Sequence, residues 1–361
     1  MNNAKLQRSV CILLFLYFLF TILHLAKPFL VPIAFAGLLA MLFLPMAKKL
    51  ENKGWNRALA VLATVLVLVL VVMGILSLLA WQISDMTQNS AQLERNVMRQ
   101  VNLARRYIAT TLGISQQEQQ KMIQKQQSFS GRMAGNFTTI LTSFASMFGK
   151  SLLVLIYFFL FQYFRTQLRN FVLKLVPQGE KPHTLKTIEE CRRVAQKYLG
   201  GLGLMIVTLW VMYTIGFTIA GVKNPFFFAI LCGLLEIVPF VGNITGTAIT
   251  VLASVAQGGN MSLIIGILIT YGIVQFIQTY LLEPLIVGNE VNINPLFTIA
   301  GLVAGELIWG IPGMVLAIPV MGIAKIICDN VESLKPYGYL LGTDKKTESS
   351  GLINKIKSWF K

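Results

Sequence analysis

The chain has 361 residues, of which 55% are hydrophobic and only 13% are charged, and its formal net charge is +16. Soluble domains carry about 25% charged residues, so this chain has too little polar surface to cover a water-soluble globule. The apolar residues form runs long enough to cross hydrocarbon, which predicts an integral membrane protein. The basic residues lie in short loops between these runs, where they favour one topology and contact anionic lipid, so no nucleic-acid partner is expected.

Six apolar runs have the length of a single membrane-spanning helix, about 17–27 residues. The first, 10–26, could pass for a signal peptide, but no small-x-small cleavage site follows and Lys27-Pro28 leads into another apolar run. It is predicted to be a retained span. The six predicted spans are 10–26, 28–46, 58–81, 146–164, 199–222 and 261–287.

Two further apolar stretches, 225–257 and 295–328, are too long for one span and are interrupted by proline and glycine. The sequence therefore predicts an all-α polytopic membrane protein with about eight membrane segments. Lysine and arginine counts in the short loops place both termini in the cytoplasm. The predicted parts are a three-span scaffold (1–81), an extracytoplasmic amphipathic helical lobe (82–145), a fourth span (146–164), a cytoplasmic amphipathic helix (165–198), a transport core (199–328) and a basic cytoplasmic tail (329–361).

The lobe prediction depends on apolar residues at helical spacing within a glutamine-rich segment. A mobile polar loop is the alternative for that segment. The position outside follows from the orientation above.

The two interrupted stretches share a pattern at an offset of 70 residues. Asn-Pro begins each one, at Pro225 and Pro295, and a glutamate follows eleven residues after each proline, at Glu236 and Glu306. Two aliphatic residues and a proline–glycine break come next. Because such breaks free backbone groups that cannot face lipid, the segments must be buried in protein or line a cavity.

We expect each interrupted stretch to form a re-entrant helix–break–helix hairpin, the first entering from outside and the second from inside. The two units would then be inverted-topology repeats, in which corresponding broken segments mark the transport site of secondary transporters. Eight ordinary spans would also place both termini on the same side of the membrane, and they are the alternative.

Ionisable residues are scarce in the transport core, and Glu236 and Glu306 sit beside the two breaks. A carboxylate at that depth must be protonated, paired or in contact with water. It would handle protons or cations, or else cap the broken backbone structurally. The transport or ion-handling candidates are Glu236, Pro239, Gly242, Asn243, Gln275, Asn294, Glu306, Gly310, Pro312 and Gly313, with Glu283 and Gln278 as secondary candidates.

Enzymatic sites find little support. The two histidines, His24 and His183, have no nucleophile or metal partner nearby in sequence, and the four cysteines lack ligand spacing. No nucleotide-binding P-loop occurs. The sequence predicts neither an enzyme, nor a cofactor, nor a metal site.

The segment Glu236-Ile-Val-Pro239-Phe-Val-Gly242 resembles the L-E-x-[IV]-P-x-[IV]-G signature of the autoinducer-2 exporter (AI-2E) family of permeases. Later blocks of the chain are similar to the glutamine-, proline- and glycine-marked blocks of that family, so the resemblance covers the membrane domain. The matching positions are Pro28, Pro32, Pro45, Gln275, Leu282, Pro284, Gly288, Val291, Pro295, Gly301, Gly305, Gly310, Gly313 and Pro319.

Two positions depart from the family pattern. Asn294 stands where the family often has histidine, so a proton role for that position is not carried over. The Tyr-x-x-Gly-Gln motif becomes Tyr198 to Leu202 without the amide. The resemblance implies a permease of the bacterial inner membrane that forms a homo-oligomer, for which a pentamer is the expected number.

The leading functional hypothesis is a secondary transporter that exports a small polar solute, such as the signalling molecule autoinducer-2. A sodium(lithium)/proton antiporter is the alternative, because family members have been associated with both activities. A membrane scaffold that uses the outer lobe for docking is a third hypothesis, although broken polar hairpins would be an unnecessary cost there. The expected partners are the lipid bilayer, the solute or H⁺ and Na⁺, and further copies of the chain.

Overall fold

The computed structural model describes residues 3–88, 152–239, 241–287 and 293–343. Most of the predicted extracytoplasmic lobe, the start of the fourth span and most of the basic tail lie outside the described residues. The described residues form helices with short connections. The helices are α1 (Asn3–Leu25), α2 (Lys27–Glu51), α3 (Arg57–Gln88), α4 (Leu152–Tyr163), α5 (Arg165–Lys174), α6 (Lys181–Ala220), α7 (Pro225–Leu235), α8 (Val241–Ala256), α9 (Met261–Ile277), α10 (Pro295–Trp309), α11 (Ile311–Asn330) and α12 (Lys335–Leu341).

The prediction of an all-α polytopic membrane protein is confirmed. Within the described ranges no β-strand forms, and the one extended pairing is an isolated bridge between Ile293 and Gly342. Large apolar side chains such as Phe15 and Leu66 point outward, as lipid-facing helices require. Six helical segments in the described part are long and apolar enough to cross a membrane: Gln7–Leu25, Lys27–Glu51, Arg57–Trp81, Gln178–Ala220, Met261–Glu283 and Ile311–Asn330.

The segment 165–198, for which one amphipathic helix is predicted, is divided between two helices. Helix α5 ends at Lys174, a short 3₁₀ turn covers Gln178–Glu180, and α6 then runs for 40 residues through the predicted fifth span. Pro177 stops α5 because it has no N–H to donate and disfavours helical geometry in the residue before it. Pro182 lies in the first turn of α6, where proline is tolerated. The basic segment and the span are therefore one continuous helix.

The chain divides into two compact units. The terminal unit comprises Met1–Pro45, Leu160–Gly201 and Val287–Lys361, and its core contains the buried residues Leu38, Ala195 and Leu316. The central unit comprises Met46–Phe159 and Leu202–Ile286. Its core includes fully buried aromatic side chains of α6 and α7, with the rings of Tyr213 and Phe217 stacked at 5.3 Å.

Both interrupted stretches fold as a helix, a break and a second helix. Hairpin 1, formed by α7 and α8, belongs to the central unit, and hairpin 2, formed by α10 and α11, belongs to the terminal unit. In each hairpin the two helices pack against one another. Helix α7 has 11 residues and α11 has 20, so the four helices are less uniform in length than the repeat in the sequence suggests.

Glycines hold the two helices of hairpin 2 together. A side chain on Gly305 would run into the backbone of Gly313, and a side chain on Gly313 would run into the backbone of Gly305. This reciprocal backbone contact is how small residues let helices approach in membranes, where dispersion and weak polar contacts replace the hydrophobic effect. The break beside it is Gly310, whose φ of 69° and ψ of −149° are accessible almost only to glycine.

We expect Gly313→Ala to destabilise the protein by about 1–3 kcal/mol, because the added methyl group forces α10 and α11 apart. The measurement is the midpoint of thermal unfolding of purified protein in detergent. Gly74→Ala in α3 is the matched control, since no atom lies within 4 Å of its added carbon. Equal midpoints for the two variants would contradict the close packing of hairpin 2.

Candidate functional site

Hairpin 1 begins and ends at the same end of the central unit. The connection that precedes α7 lies beside the connection that follows α8, since the Lys223 ammonium approaches the carbonyl oxygen of Gln257 at 3.4 Å. Helix α7, with 11 residues, is about 16 Å long, whereas the hydrocarbon core is about 30 Å thick. Helix α7 is therefore too short to cross the hydrocarbon core by itself.

The break itself is a compact turn that starts at Glu236. This residue caps the C-terminus of α7, and its N–H donates to the Cys232 carbonyl at 3.0 Å. The chain then turns back through Pro239 into α8. Gly242 makes the return possible, because its N–H donates to the Val238 carbonyl at 3.0 Å and a side chain there would occupy the position of the Leu235 carbonyl. Three of the predicted site residues thus form one structural element.

The carboxyl group of Glu236 is held by an amide from another helix. The Gln278 side-chain Nε2 donates to Glu236 Oε1 at 2.8 Å, and Gln278 is only 2% exposed. Gln278 follows directly after α9, which at 17 residues is about 25 Å long. The pair therefore joins the break of hairpin 1 to the apolar segment Met261–Glu283, which is long enough to cross a membrane. This contact makes Gln278, a secondary candidate in the sequence, the direct partner of the principal one.

The helix that carries Gln278 changes its winding at that residue. The α-helix Met261–Ile277 passes into a π-helix, Gln278–Val287, in which hydrogen bonds run from residue i to i+5. Pro284 within this stretch has no N–H and cannot make an α-helical bond. π-Helical turns occur often at functional sites. The broken part of hairpin 1 and an irregular stretch of a spanning helix therefore meet at the Glu236–Gln278 hydrogen bond.

A second polar contact lies beside the first. The amide nitrogen of Asn243, in the first turn of α8, donates to the Gln275 side-chain oxygen at 2.7 Å. The Gln275 amide nitrogen donates in turn to the hydroxyl oxygen of Thr279 at 3.2 Å. Four of the predicted candidates in the central unit, Glu236, Asn243, Gln275 and Gln278, are thus brought together. We call these four residues with Thr279 the amide cluster.

Two acceptor atoms of the amide cluster are buried without a hydrogen-bond partner among the described residues. They are Glu236 Oε2, the second carboxyl oxygen, and Gln278 Oε1, the amide oxygen of the side chain whose nitrogen bonds to Glu236. The hydroxyl of Tyr213, which interacts electrostatically with Glu236, is likewise unpaired in the described structure. Unpaired buried polar atoms are costly in native proteins. Such atoms are what a site for a proton, a cation or a hydrogen-bonding solute presents.

Glu283 is the carboxylate that acts on Glu236 within the central unit. The two carboxyl groups interact electrostatically, and Gln278 is close enough to stabilise the charge of Glu283. Glu283 is exposed, whereas Glu236 is partly buried. Among the described residues no group of three or more histidine, cysteine, aspartate or glutamate side chains is placed to hold a metal ion.

Hairpin 2 places the remaining candidates in the terminal unit. Asn294 caps α10, since its side-chain oxygen accepts from the Leu296 N–H at 3.0 Å, and its own N–H donates to the Leu341 carbonyl at 2.8 Å. Hairpin 2 therefore begins beside α12, which follows α11 in the chain. The side chain of Asn294 has a structural role as a helix cap.

The break of hairpin 2 contacts the last turn of α1, directly before the connection between α1 and α2. The Trp309 indole N–H donates to the Leu23 carbonyl at 2.9 Å, and His24 Nδ1 lies 2.8 Å from the Ile308 carbonyl. Because this connection joins two predicted spans, the break reaches a membrane face instead of stopping partway. These contacts and the 20 residues of α11 favour two crossings for 295–328. They do not favour the re-entrant hairpin predicted for that stretch.

Glu306 lies in the last turn of α10, with an exposed side chain. Its carbonyl accepts from the Gly310 N–H at 2.7 Å, and Pro312 occupies the first turn of α11. Glu306 is therefore about one helical turn from the break, close to the predicted face. In hairpin 1 the corresponding glutamate, Glu236, is the cap residue directly after its helix and is partly buried, so the repeated pattern produces two different local structures.

Comparison with known proteins places this arrangement in a family. The model for "AI-2E family transporter" matches residues 11–333. A Bacillus subtilis protein named "Putative transport protein YueF" is 25% identical over 317 residues, 84% of each chain. "Putative transport protein YhhT" of Escherichia coli is 21% identical over 322 residues, 89% of this chain and 90% of its own. A Borreliella burgdorferi "Putative transport protein" is 28% identical over 199 residues, and the chain spans about half (54%) of that relative.

We expect Glu236 and Gln278 to be energetically coupled. In a double-mutant cycle with Glu236→Leu and Gln278→Leu, the coupling free energy of unfolding is expected to be about 1 kcal/mol or more, because each single change leaves a buried polar atom of the other side chain unpaired. Thermal or denaturant unfolding in detergent provides the four values. Glu236 paired with Ser262, which lies in the first turn of α9 and sixteen residues before Gln278, gives an uncoupled control. Additive effects of Glu236→Leu and Gln278→Leu would show that the hydrogen bond does not contribute.

Proposed function

This chain belongs to the AI-2E transporter family, and from that premise we propose that it is a secondary transporter that exports a small polar solute across the bacterial inner membrane. The observation that carries the proposal is the amide cluster at the break of hairpin 1. Transporter sites lie where discontinuous helices expose backbone and polar side chains inside the membrane. The amide cluster combines such a break with a π-helical stretch and with unpaired acceptor atoms.

The side chains of the amide cluster suit an uncharged, hydroxyl-rich solute. The cluster offers amide donors and acceptors from Asn243, Gln275 and Gln278 and one carboxyl group from Glu236. A solute hydroxyl can donate to the unpaired Glu236 Oε2 and accept from an amide nitrogen. Autoinducer-2, a small polyol-like signalling molecule, has this chemistry, and the family name refers to it. Export of autoinducer-2 is therefore the specific substrate we propose to test.

Sodium/proton antiport is the second candidate, and the Glu236–Glu283 interaction favours it. Antiport needs a titratable carboxylate within the membrane, and carboxylates in such positions mark ion and proton paths. Glu283 is exposed and Glu236 is partly buried, and in this proposal the two form the pair of carboxyl groups that binds the exchanged ions. The sequence suggested Glu306 as the second carboxylate; Glu283 takes that role in this proposal because it belongs to the same unit.

We further propose that both termini face the cytoplasm and that the protein forms a homo-oligomer, with five copies as the expected number. The basic residues of the α2–α3 connection and of α5 and the start of α6 support the orientation through the positive-inside rule. Hairpin 1 then opens toward the outside, and the break with its amide cluster is reached from that side.

We expect Glu236→Gln to reduce transport at least about tenfold, the effect of losing one hydrogen bond to a charged group. Two assays on inverted vesicles or proteoliposomes separate the candidates: uptake of autoinducer-2, and a change of lumenal pH after a sodium pulse. Solute export predicts the first, and antiport predicts the second. Glu332→Gln, a change at an exposed residue outside the predicted spans, is the matched control.

The outcomes are distinct. Activity in either assay that Glu236→Gln removes and Glu332→Gln retains supports the amide cluster as the transport site. Full activity of a folded Glu236→Gln protein in both assays would contradict it. Glu283→Gln then distinguishes the candidates, because antiport through a carboxylate pair requires Glu283 and solute export does not.

The proposed orientation predicts the labelling of single cysteines. In a variant without native cysteines, Lys53→Cys in the α2–α3 connection should react with a membrane-impermeant thiol reagent only when the cytoplasmic face is exposed. Met261→Cys, at the exposed start of α9, should react in intact spheroplasts. Both positions reacting from one face would contradict the proposed topology.

A further inference from the structure

A polar cavity lies at the end of the central unit where hairpin 1 begins and ends. Its volume is about 440 Å³, and it is lined by the α6–α7 connection, the end of α8 and the first turn of α9. In the proposed orientation this end faces the outside. It is separate from the amide cluster, which lies at the far ends of α7 and α9.

The lining is rich in hydrogen-bond donors and carries a positive charge. Its ten residues include Lys223 and no aspartate or glutamate. The Lys223 ammonium donates a hydrogen bond to the carbonyl oxygen of Gln257 at 3.4 Å. The side-chain nitrogen of Gln257, a buried donor, has no partner among the described residues. The lining therefore carries a positive charge and an unpaired side-chain donor.

The first turn of α9 lines the same cavity. Asn260 caps this helix by accepting from the Leu263 N–H at 3.0 Å, and Ser262 lines the cavity beside it. The first N–H groups of a helix and the positive end of its dipole attract anions. A helix N-terminus alone does not define a binding site. The buried residue Ser254, which also lines the cavity, provides a second and independent observation.

Ser254 supplies the independent observation. It is 3% exposed, it lines the cavity, and its hydroxyl has no hydrogen-bond partner within the described part of the chain. Helical serines usually satisfy themselves by donating to a carbonyl in the preceding turn, as Thr250 does to Gly246 at 2.8 Å one turn earlier. An unpaired buried hydroxyl at a cavity wall can donate a hydrogen bond to a ligand atom.

The walls of the cavity are fixed by close helix packing. A side chain on Gly266 of α9 would touch Ala220, the last residue of α6 and a lining residue, and one on Gly216 would run into Thr270. Backbone contact through small residues fixes the spacing of the two helices. The donors are therefore held in place before a ligand binds, which lowers the entropic cost of binding.

We propose that this cavity binds a small anionic group, a phosphate or a carboxylate with several acceptor oxygens. Lys223 provides the charge, Ser254 and Gln257 provide side-chain donors, and the N-terminus of α9 provides backbone donors. A cation does not fit, because the lining has no carboxylate. The same chemistry is offered by a free soluble anion and by the headgroup of an anionic lipid, and the cavity is assigned here to the soluble anion.

The test uses inorganic phosphate and the full-length protein in nanodiscs of neutral phosphatidylcholine, with isothermal titration calorimetry at low salt. We expect Lys223→Gln to weaken phosphate binding about tenfold or more, because it removes a charge-assisted contact. Ser254→Ala should weaken binding to a smaller extent. Lys335→Gln, at an exposed lysine of α12 outside the central unit, is the matched control and should bind as the wild type does.

Equal phosphate affinity in the wild type, Lys223→Gln and Ser254→Ala would overturn the proposal, as would the absence of binding to the wild type. Lys223 is exposed, so its substitution is not expected to unfold the protein, and the test stands even if Ser254→Ala fails to fold. A repeat in nanodiscs with anionic phosphatidylglycerol distinguishes the two sources. Unchanged phosphate affinity there supports a soluble anion, and a loss of affinity that depends on Lys223 overturns that assignment in favour of the lipid headgroup.

Discussion

Backbone groups that leave a helix inside a bilayer must find partners within the protein, because no water is present to bond them. The two hairpins meet this requirement differently. In hairpin 1 the chain closes its break with local turns from Cys232 to Gly242 and then covers it with the π-helical stretch that carries Gln278. In hairpin 2 a single glycine makes the break, and the end of α1 supplies the partners through Leu23 and His24.

The difference between the hairpins has a functional consequence. A break whose backbone is hydrogen-bonded to the end of a neighbouring helix, as in hairpin 2, has only a structural role. A break inside the membrane, bonded to another irregular segment by side-chain amides, holds polar groups where few neighbours can satisfy them. Glu236 Oε2 and Gln278 Oε1 are such groups. A solute or an ion can replace the hydrogen bond between Glu236 and Gln278 at little cost in free energy. Each side chain would lose one hydrogen bond and gain a partner for an atom that has none.

The sequence predicted the class of fold and both breaks, and five of its six predicted spans lie in long apolar helices, because span length and proline–glycine punctuation are local properties. The predicted span 146–164 begins outside the described residues. It also identified Glu236, Asn243 and Gln275 as candidates through their polarity in an apolar setting. It did not predict which partners they meet: Gln278 and Tyr213 look like ordinary helix residues, and the π-helix has no sequence signal beyond Pro284. The shared Asn-Pro pattern predicted equivalent hairpins, yet Asn224 adopts a left-handed conformation without capping its helix whereas Asn294 caps. The lobe over 82–145 stays a prediction beyond the described residues, apart from the end of α3 at Gln88.

If the amide cluster is the transport site, a covalent link between α8 and α9 at this cluster should block transport. The most direct measurement links the two helices through Asn243→Cys and Gln275→Cys, whose native side chains are hydrogen-bonded at 2.7 Å, in a variant without the native cysteines. A short bifunctional reagent that forms disulfides with both thiols closes the link, a reductant opens it, and flux is measured in both states. The unlinked double variant should transport more slowly than the wild type, because two amides of the cluster are replaced; its flux should stop when the link is closed and return to the unlinked level when it is opened. Complete linkage with unchanged flux would contradict the amide cluster as the transport site.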